Sequence, residues 1–303
     1  MQPAPDYYNL PNTWVSQSSL KCFIKSPLEY KHQFVDGHSS WTTTPNMALG
    51  SLVHCLLLEP LLVEQQYFVY DESQRPEPDK TMASNLNKAW KAALEGGARE
   101  SGTTIVSQDV YAKGDAMLQV VCNNENAVEY FFPNDDYTHV YTDLTELPIF
   151  WKNDCSELAL KSKLDKLLID PASGKAIVVD YKTTSASNSQ EFSWSVKKYG
   201  YDVQAAFYED AARAYLELNY PGITFDITVL FIPQRTTAPY QVLGVLQLDQ
   251  QTLRAARDRY ERALQELEGC LHTGVWESNN GVETLYLSKP LEGVFLPDTE
   301  LII

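Results

Sequence analysis

The stretch Lys161-Ser162-Lys163-Leu164-Asp165-Lys166-Leu167-Leu168-Ile169-Asp170-Pro171-Ala172-Ser173-Gly174-Lys175-Ala176-Ile177-Val178-Val179-Asp180-Tyr181-Lys182-Thr183-Thr184 decides how this chain reads. Two apolar runs flank Asp170-Pro171-Ala172-Ser173-Gly174, which has the chemistry of a turn. The run Ala176-Ile177-Val178-Val179 is apolar and mostly β-branched, as a buried strand requires. Side chains alternate along a strand, so Asp180 and Lys182 project to one side and Tyr181 to the other. The preceding strand, 157–169, puts Lys161, Lys163 and Asp165 on one face and Leu158, Leu160 and Leu164 on the other. Antiparallel pairing then brings Asp165 near Asp180. Two carboxylates at one point repel unless a cation lies between them, and hard oxygen ligands favour Mg²⁺ or Mn²⁺. The same residues also fit two exposed strand-end acids with Lys182 paired to one of them. An acid and a base two positions apart are common, so the rest of the chain must decide.

The chain has 303 residues, 44% hydrophobic and 12% aromatic, ample for one large α/β domain or two small ones. No apolar run approaches the roughly 18–20 residues that span a bilayer, and the first residues do not read as a secretory signal. The five cysteines (Cys22, Cys55, Cys122, Cys155, Cys270) are scattered, with no metal-binding or disulfide pattern, which suits a reducing cytoplasm. The formal net charge of −16 weighs against a tight, non-specific DNA binder, whose affinity comes from phosphate neutralisation. A local basic patch can still bind DNA. Lys161, Lys163, Lys166, Lys182, Lys197 and Lys198 are its candidates, with acid concentrated elsewhere, as at Asp135, Asp136 and Asp143.

Residues 1–15 read as extended. Helices are expected over 16–25, 45–59, 81–95 (broken by Gly96-Gly97), 107–123, 189–198, 201–218 and 253–271. Strands are expected at 140–142, 147–151, 225–233 and 240–248, besides the hairpin. The arginines Arg254, Arg257, Arg259 and Arg262 read as a solvated helix face, with Asp258 and Glu261 as partners. The organisation expected is a helical N-terminal portion over 1–135, a core over 136–276 and a tail over 277–303 that packs on the core or at a subunit interface.

Four further blocks occur in a telling order. Ser18-Ser19-Leu20-Lys21 with Ser26-Pro27-Leu28-Glu29-Tyr30 makes an opening helix. Met47-Ala48-Leu49-Gly50-Ser51-Leu52-Val53-His54 has glycine one turn before histidine, leaving room beside the imidazole. A lone histidine on an apolar helix is usually a satisfied core residue. Glu146-Leu147-Pro148-Ile149-Phe150-Trp151 puts an acid just ahead of the Asp165 strand, where a surface glutamate fits as well. Tyr199-Gly200-Tyr201-Asp202-Val203-Gln204-Ala205-Ala206-Phe207-Tyr208 sets Gln204 and Tyr208 on one helix face. Alone, each block is explained by ordinary capping or packing.

Together, over roughly residues 16–276 but with no contribution from 75–134, they resemble the nuclease domain of RecE-type exonucleases (exonuclease VIII), a RecB-like branch of the PD-(D/E)xK superfamily. The resemblance implies an α/β fold, with a restriction-endonuclease-like core of a mixed central sheet flanked by helices. It implies a Mg²⁺ site, with Mn²⁺ as a substitute, at Asp165, Asp180 and the Tyr181 carbonyl, completed by His54 and Glu146. Lys182 would orient the attacking water or neutralise the transition state. Gln204 and Tyr208 would hold the strand or Lys182, and Lys161, Lys163, Lys197 and Lys198 would contact DNA. The activity implied is 5′→3′ digestion of linear double-stranded DNA in a bacterial or phage-infected cell. A homo-oligomeric ring and a single-strand annealing partner are implied too, and no membrane. Two departures stand out: Lys163-Leu164-Asp165 where the family often has Arg-Pro-Asp, and Asp180 in place of glutamate. A defence or repair endonuclease of the same fold and a non-catalytic DNA-binding module remain the alternatives.

Overall fold

Ser16 closes a short strand, β1 (Trp14–Ser16), and caps the helix that follows, α1 (Gln17–Lys25). Ser16 Oγ accepts from the Ser19 amide, and the Ser16 amide donates to Ser19 Oγ, a reciprocal capping box. Ser26 and Pro27 then open α2 (Pro27–Tyr30). The structure, a computed structural model, describes Tyr7 and residues 14–38, 44–133 and 141–276. The tail 277–303 and the acids Asp135 and Asp136 lie outside the described residues.

Next come α3 (Pro45–Leu58), α4 (Val63–Gln66), β2 (Tyr67–Tyr70), α5 (Asn85–Ser101), β3 (Thr104–Ser107), α6 (Gln108–Cys122) and α7 (Val128–Phe131). The hairpin region follows as β4 (Thr142–Lys152), β5 (Ala159–Asp170) and β6 (Lys175–Thr184). The chain continues as α8 (Ser189–Tyr199), α9 (Tyr201–Asn219), β7 (Asp226–Arg235), β8 (Leu246–Gln247) and α10 (Gln250–Thr273). Strands β2 and β3 form a separate parallel pair, and the remaining six make the main sheet. That sheet is mixed: β6 runs parallel to β7 and β1 to β5, while β4–β5, β5–β6 and β7–β8 are antiparallel.

Alternation on β6 shows the layering. Ala176 and Val178 join a core with α1, α8, α9 and α10, whereas Val179 and Tyr181 join one with α3, α6 and α7. The sheet is thus covered on both faces, which explains the near-continuous apolar runs of its central strands. Among the described residues, no single helix is long and apolar enough to cross a membrane.

Strand β5 sets up the site. Along one edge it pairs with β4, from Ile169 to Ala159. Its other edge is divided, with β6 taking Lys166–Asp170 and β1 taking Ala159–Lys161. Residues 162–165 lie in the gap between these two partners. Leu160, Leu164, Leu167 and Ile169 all enter the same core, so the simple alternation slips by one between Leu164 and Leu167. Asp165 sits at that slip.

Several expectations are corrected. Where strands are expected at 140–142 and 147–151, one continuous strand, β4, runs from Thr142 to Lys152, with Val140 outside the described residues. α5 starts at the Ser84 cap and runs through Gly96-Gly97, since a helix tolerates glycine at a cost of about 1 kcal/mol each. The segment 240–248 keeps only β8 and one bridge at Val242, because Tyr240 (φ 59°) and Gly244 (φ 137°) depart from the extended region. Two of the four α10 arginines find partners on α9, Arg257 with Asp210 and Glu209 and Arg259 with Asp202, while Arg254 and Arg262 are exposed as expected.

Candidate metal centre and active site

Asp165 is reached from three sides. On β4, Thr145 pairs with Lys166 and Leu147 with Leu164, so Glu146 faces Asp165. Glu146 has φ 51°, left-handed backbone that a non-glycine residue seldom holds and that commonly marks functional sites. On β6, the ladder with β5 stops at Val179, and the Tyr181 amide donates instead to Asp165 Oδ2 at 2.9 Å. From α3, His54 sets Nε2 at 2.9 Å from Asp165 Oδ2 and Nδ1 at 3.2 Å from Glu146 Oε1.

Both imidazole nitrogens therefore meet carboxylates, which favours the doubly protonated ring. Burial opposes that charge, but Asp165 and Glu146 outweigh it and push the His54 pKa up to about 10. Burial likewise disfavours the Asp165 carboxylate, and His54 with Lys182 overcomes it and holds Asp165 below the usual range. One ligand atom each from His54, Glu146 and Asp165 lies within 4.8 Å of the others. One imidazole and two carboxylates are a fitting donor set for a divalent cation. The imidazolium proton marks the place where positive charge is wanted.

The second half of the site lies on the α9 face of β6. Lys182 Nζ ion-pairs with Asp180 Oδ2, and Gln204 Nε2 donates to Asp180 Oδ1 at 2.9 Å. Asp180 is fully buried. Burial above all, and then Asp165, push its pKa up to about 6 against the pull of Lys182. Burial works against the Lys182 charge, but Asp180 and Asp165 hold its proton above the ordinary lysine value. Tyr208, one turn beyond Gln204, is buried; burial, then Asp180 and Asp165, keep its phenol protonated far above the usual range. A cleft of about 820 Å³ joins the two halves, with His54, Glu146, Asp165, Lys182, Tyr201 and Tyr208 among its lining.

The structure thus brings His54, Glu146, Asp165, Asp180, Lys182, Gln204 and Tyr208 to one place. Asp180 points to Lys182 and Gln204 and stands outside the trio of His54, Glu146 and Asp165. Tyr181 offers its amide to Asp165 and sends its ring to the other face, where its hydroxyl meets Gln234. Of the proposed DNA contacts, Lys163 pairs with Glu146, and Lys161 donates to the Tyr7 carbonyl at 3.1 Å. Lys166 is buried on Asp143 and the Phe131 carbonyl. Lys197 and Lys198 line a second groove beyond α1.

Gly50 has a different role from the one expected. A Cβ there would lie 2.9 Å from Thr183 Oγ1, so the glycine lets α3 approach β6 rather than making room beside the imidazole. Gly50→Val should cost about 1–3 kcal/mol by overpacking and displace His54. Thermal unfolding and Mn²⁺ titration both at wild-type values would refute this.

Lys21 was not singled out from the sequence as a site residue. Its Nζ donates to Gln204 Oε1 at 3.4 Å, which turns the amide so that its NH₂ faces Asp180. Only a contact between α1 and α9 reveals this; no spacing in the sequence signals it. Burial, then Lys182, lower its pKa to about 8, while Asp180 and Asp202 pull the other way. A folded pKa below the unfolded value means that the charged form costs stability below about pH 8, and the cost fades as pH rises toward 10.5. Lys21→Met should lack that alkaline gain in stability. An unchanged pH–stability curve would contradict the assigned environment.

Residues 16–284 match the model of DUF3799, a PDDEXK-like domain of unknown function. The chain belongs to this PDDEXK-like family. A crystal structure of a "Putative exonuclease" from Eubacterium rectale shares the fold of this PDDEXK-like domain, with a TM-score of 0.56 and 12% identity, over 95% of this chain and 96% of that one. No curated protein matches the chain. The mixed sheet flanked by helices is the PD-(D/E)xK nuclease architecture, and nucleases of this class depend on divalent metal. The Asp165–Asp180–Lys182 hairpin falls within the matched residues.

Proposed function

We propose that this PDDEXK-like protein is a Mg²⁺-dependent exodeoxyribonuclease of RecE type, digesting linear duplex DNA from 5′ ends and leaving 3′ single strands for recombination. The observation that carries the reading is the metal-capable trio of His54, Glu146 and Asp165 beside the buried Asp180–Lys182 pair in one open cleft. The trio would hold the cation, with Asp180 and the Tyr181 carbonyl completing its surroundings. A bound divalent metal supplies an acidified water and neutralises charge on the attacked phosphate. Lys182 would orient the attacking water or stabilise the developing negative charge. Gln204, braced by Lys21, fixes Asp180, and Asp180 fixes Lys182. Tyr208 presents a protonated hydroxyl that can donate to a phosphate oxygen.

The same reading carries a homo-oligomeric ring, which accounts for processive digestion, and an annealing protein that receives the 3′ strand. Both follow from the RecE resemblance. The test is incubation with linear and closed circular duplex DNA, in Mg²⁺ or EDTA. Loss of linear DNA alone, only with metal, is the expected result. Cutting of circles makes the enzyme an endonuclease, and no cutting with any divalent metal removes the nuclease reading. End-labelled substrates then fix the polarity.

A further inference from the structure

A second groove, about 790 Å³, has Lys21 in its lining. Gly200 (φ 63°) lines it too. A Cβ at Gly200 would meet Lys21 Cδ at 3.0 Å, so the lysine stem lies against the glycine while its ammonium reaches through to Gln204. The groove is basic. Lys21, Lys25, Lys197, Lys198 and Arg259 line it. The Lys21 charge is spent at Gln204, while Lys25 is partnered by Glu29 at 3.3 Å and Arg259 by Asp202 at 2.7 Å, so two acids stand against the four remaining cations. This local surplus occurs on a chain of net charge −16.

The groove is also aromatic. Tyr199 is 51% exposed at its rim, with Lys198 Nζ 5.2 Å from the ring centre. Its ring lies 5.7 Å from that of Tyr201, inclined by 34°. Tyr201 lines the cleft and has Lys182 Nζ 5.3 Å from its own ring centre. Two rings, each with an ammonium beside it, therefore lead from the catalytic lysine into the groove. A flat ring next to a cation suits a base next to a phosphate, the chemistry of single-stranded nucleic acid. A duplex keeps its base faces stacked away and cannot use such rings.

We propose that this groove binds single-stranded DNA continuous with the strand in the cleft, with Lys197 and Lys198 on phosphates and Tyr199 stacked on a base. The purpose assigned to it rests on the nuclease reading, but the binding itself does not. The test uses the full chain in EDTA, where no metal-dependent cutting occurs. Fluorescence anisotropy follows a labelled 20-nucleotide oligo-dT and a blunt 20-base-pair duplex over a range of salt concentrations. The paired change Lys197→Glu with Lys198→Glu should weaken oligo-dT binding at least 10-fold and flatten the salt dependence by about 0.7 per lost phosphate contact. Tyr199→Ala should weaken it about 5- to 150-fold, the worth of one stacked base, with little change for the duplex. All three residues are exposed, so the variants should fold. No oligo-dT binding by the wild type, unchanged affinity in the variants, or equal losses on both DNAs would overturn the proposal. Cleavage of linear duplex in Mg²⁺ by the same wild-type preparation judges the nuclease reading separately.

Discussion

Lys182→Ala is expected to abolish DNA cleavage, lowering the rate by about 10²–10³-fold or more, as when a preorganised charge is removed from a transition state. Lys182 is the ion-pair partner of fully buried Asp180, with Asp165 close enough to act on both. Its removal leaves a carboxylate in the protein interior hydrogen-bonded to the Gln204 amide but without its ion-pair partner, a loss that typically costs about 3–5 kcal/mol. The cost has a pH signature. The Asp180 pKa already stands at about 6, above its ordinary 3.8, and losing the cation raises it further. A carboxyl with a raised folded pKa binds its proton more readily in the native state, so the stability lost at pH 7 returns as pH falls toward 3.8. Melting curves of the variant and the wild type should therefore converge on acidification from pH 7 to pH 5. Wild-type cleavage rates in the variant would remove Lys182 from the chemistry, and a gap in stability that widens with acid would contradict the environment assigned to Asp180.

The second large effect belongs to Asp165→Asn. Asp165 Oδ2 accepts from the Tyr181 amide and faces His54 Nε2. Asparagine keeps the shape and can still accept from the amide, so the hairpin should persist. The charge is lost, however, and His54 loses the group that does most to raise its pKa. Cation binding should fail. In the wild type, Mn²⁺ at 100 times its dissociation constant should stabilise the fold by about 2.7 kcal/mol, and the variant should show no such gain. Cleavage should fall about 10³-fold or more, matching the several kcal/mol that a metal supplies to such a reaction. Mn²⁺-dependent stabilisation that survives in Asp165→Asn would move the cation away from this trio.

Much of this was readable from local pattern. The turn at Asp170–Gly174 and the run 176–179 gave the hairpin, and helical periodicity placed α1, α3, α9 and α10 within three residues of their observed ends. Gln204 and Tyr208 share a helix because their spacing says so. The remainder depends on contacts that no window contains. Whether Glu146 faces Asp165 is a matter of strand register, and its left-handed backbone interrupts the simple alternation that predicts faces. The slip at Asp165 has the same effect on β5. β1 is too short to show a period, and its place on β5 depends on β6 having left that edge. Arg257 and Arg259 read as solvated, like the exposed Arg254 and Arg262, because Asp210 and Asp202 are distant in sequence and adjacent only once α9 packs on α10. Lys21 was missed for a similar reason: its contact with Gln204 crosses from the first helix to the ninth.

These long reaches also bear on when the active centre comes into being. His54 and Asp165 are separated by 111 positions, and Lys21 and Gln204 by 183. During synthesis, a chain emerging at about 5–20 residues per second spends several seconds with α3 made and its carboxylate partners not yet translated. Fragments ending before α9 lack Gln204 altogether. Chains that end before α9 therefore lack one side of this constellation, which is complete only once α1, α3, the β4–β6 strands and α9 have come together.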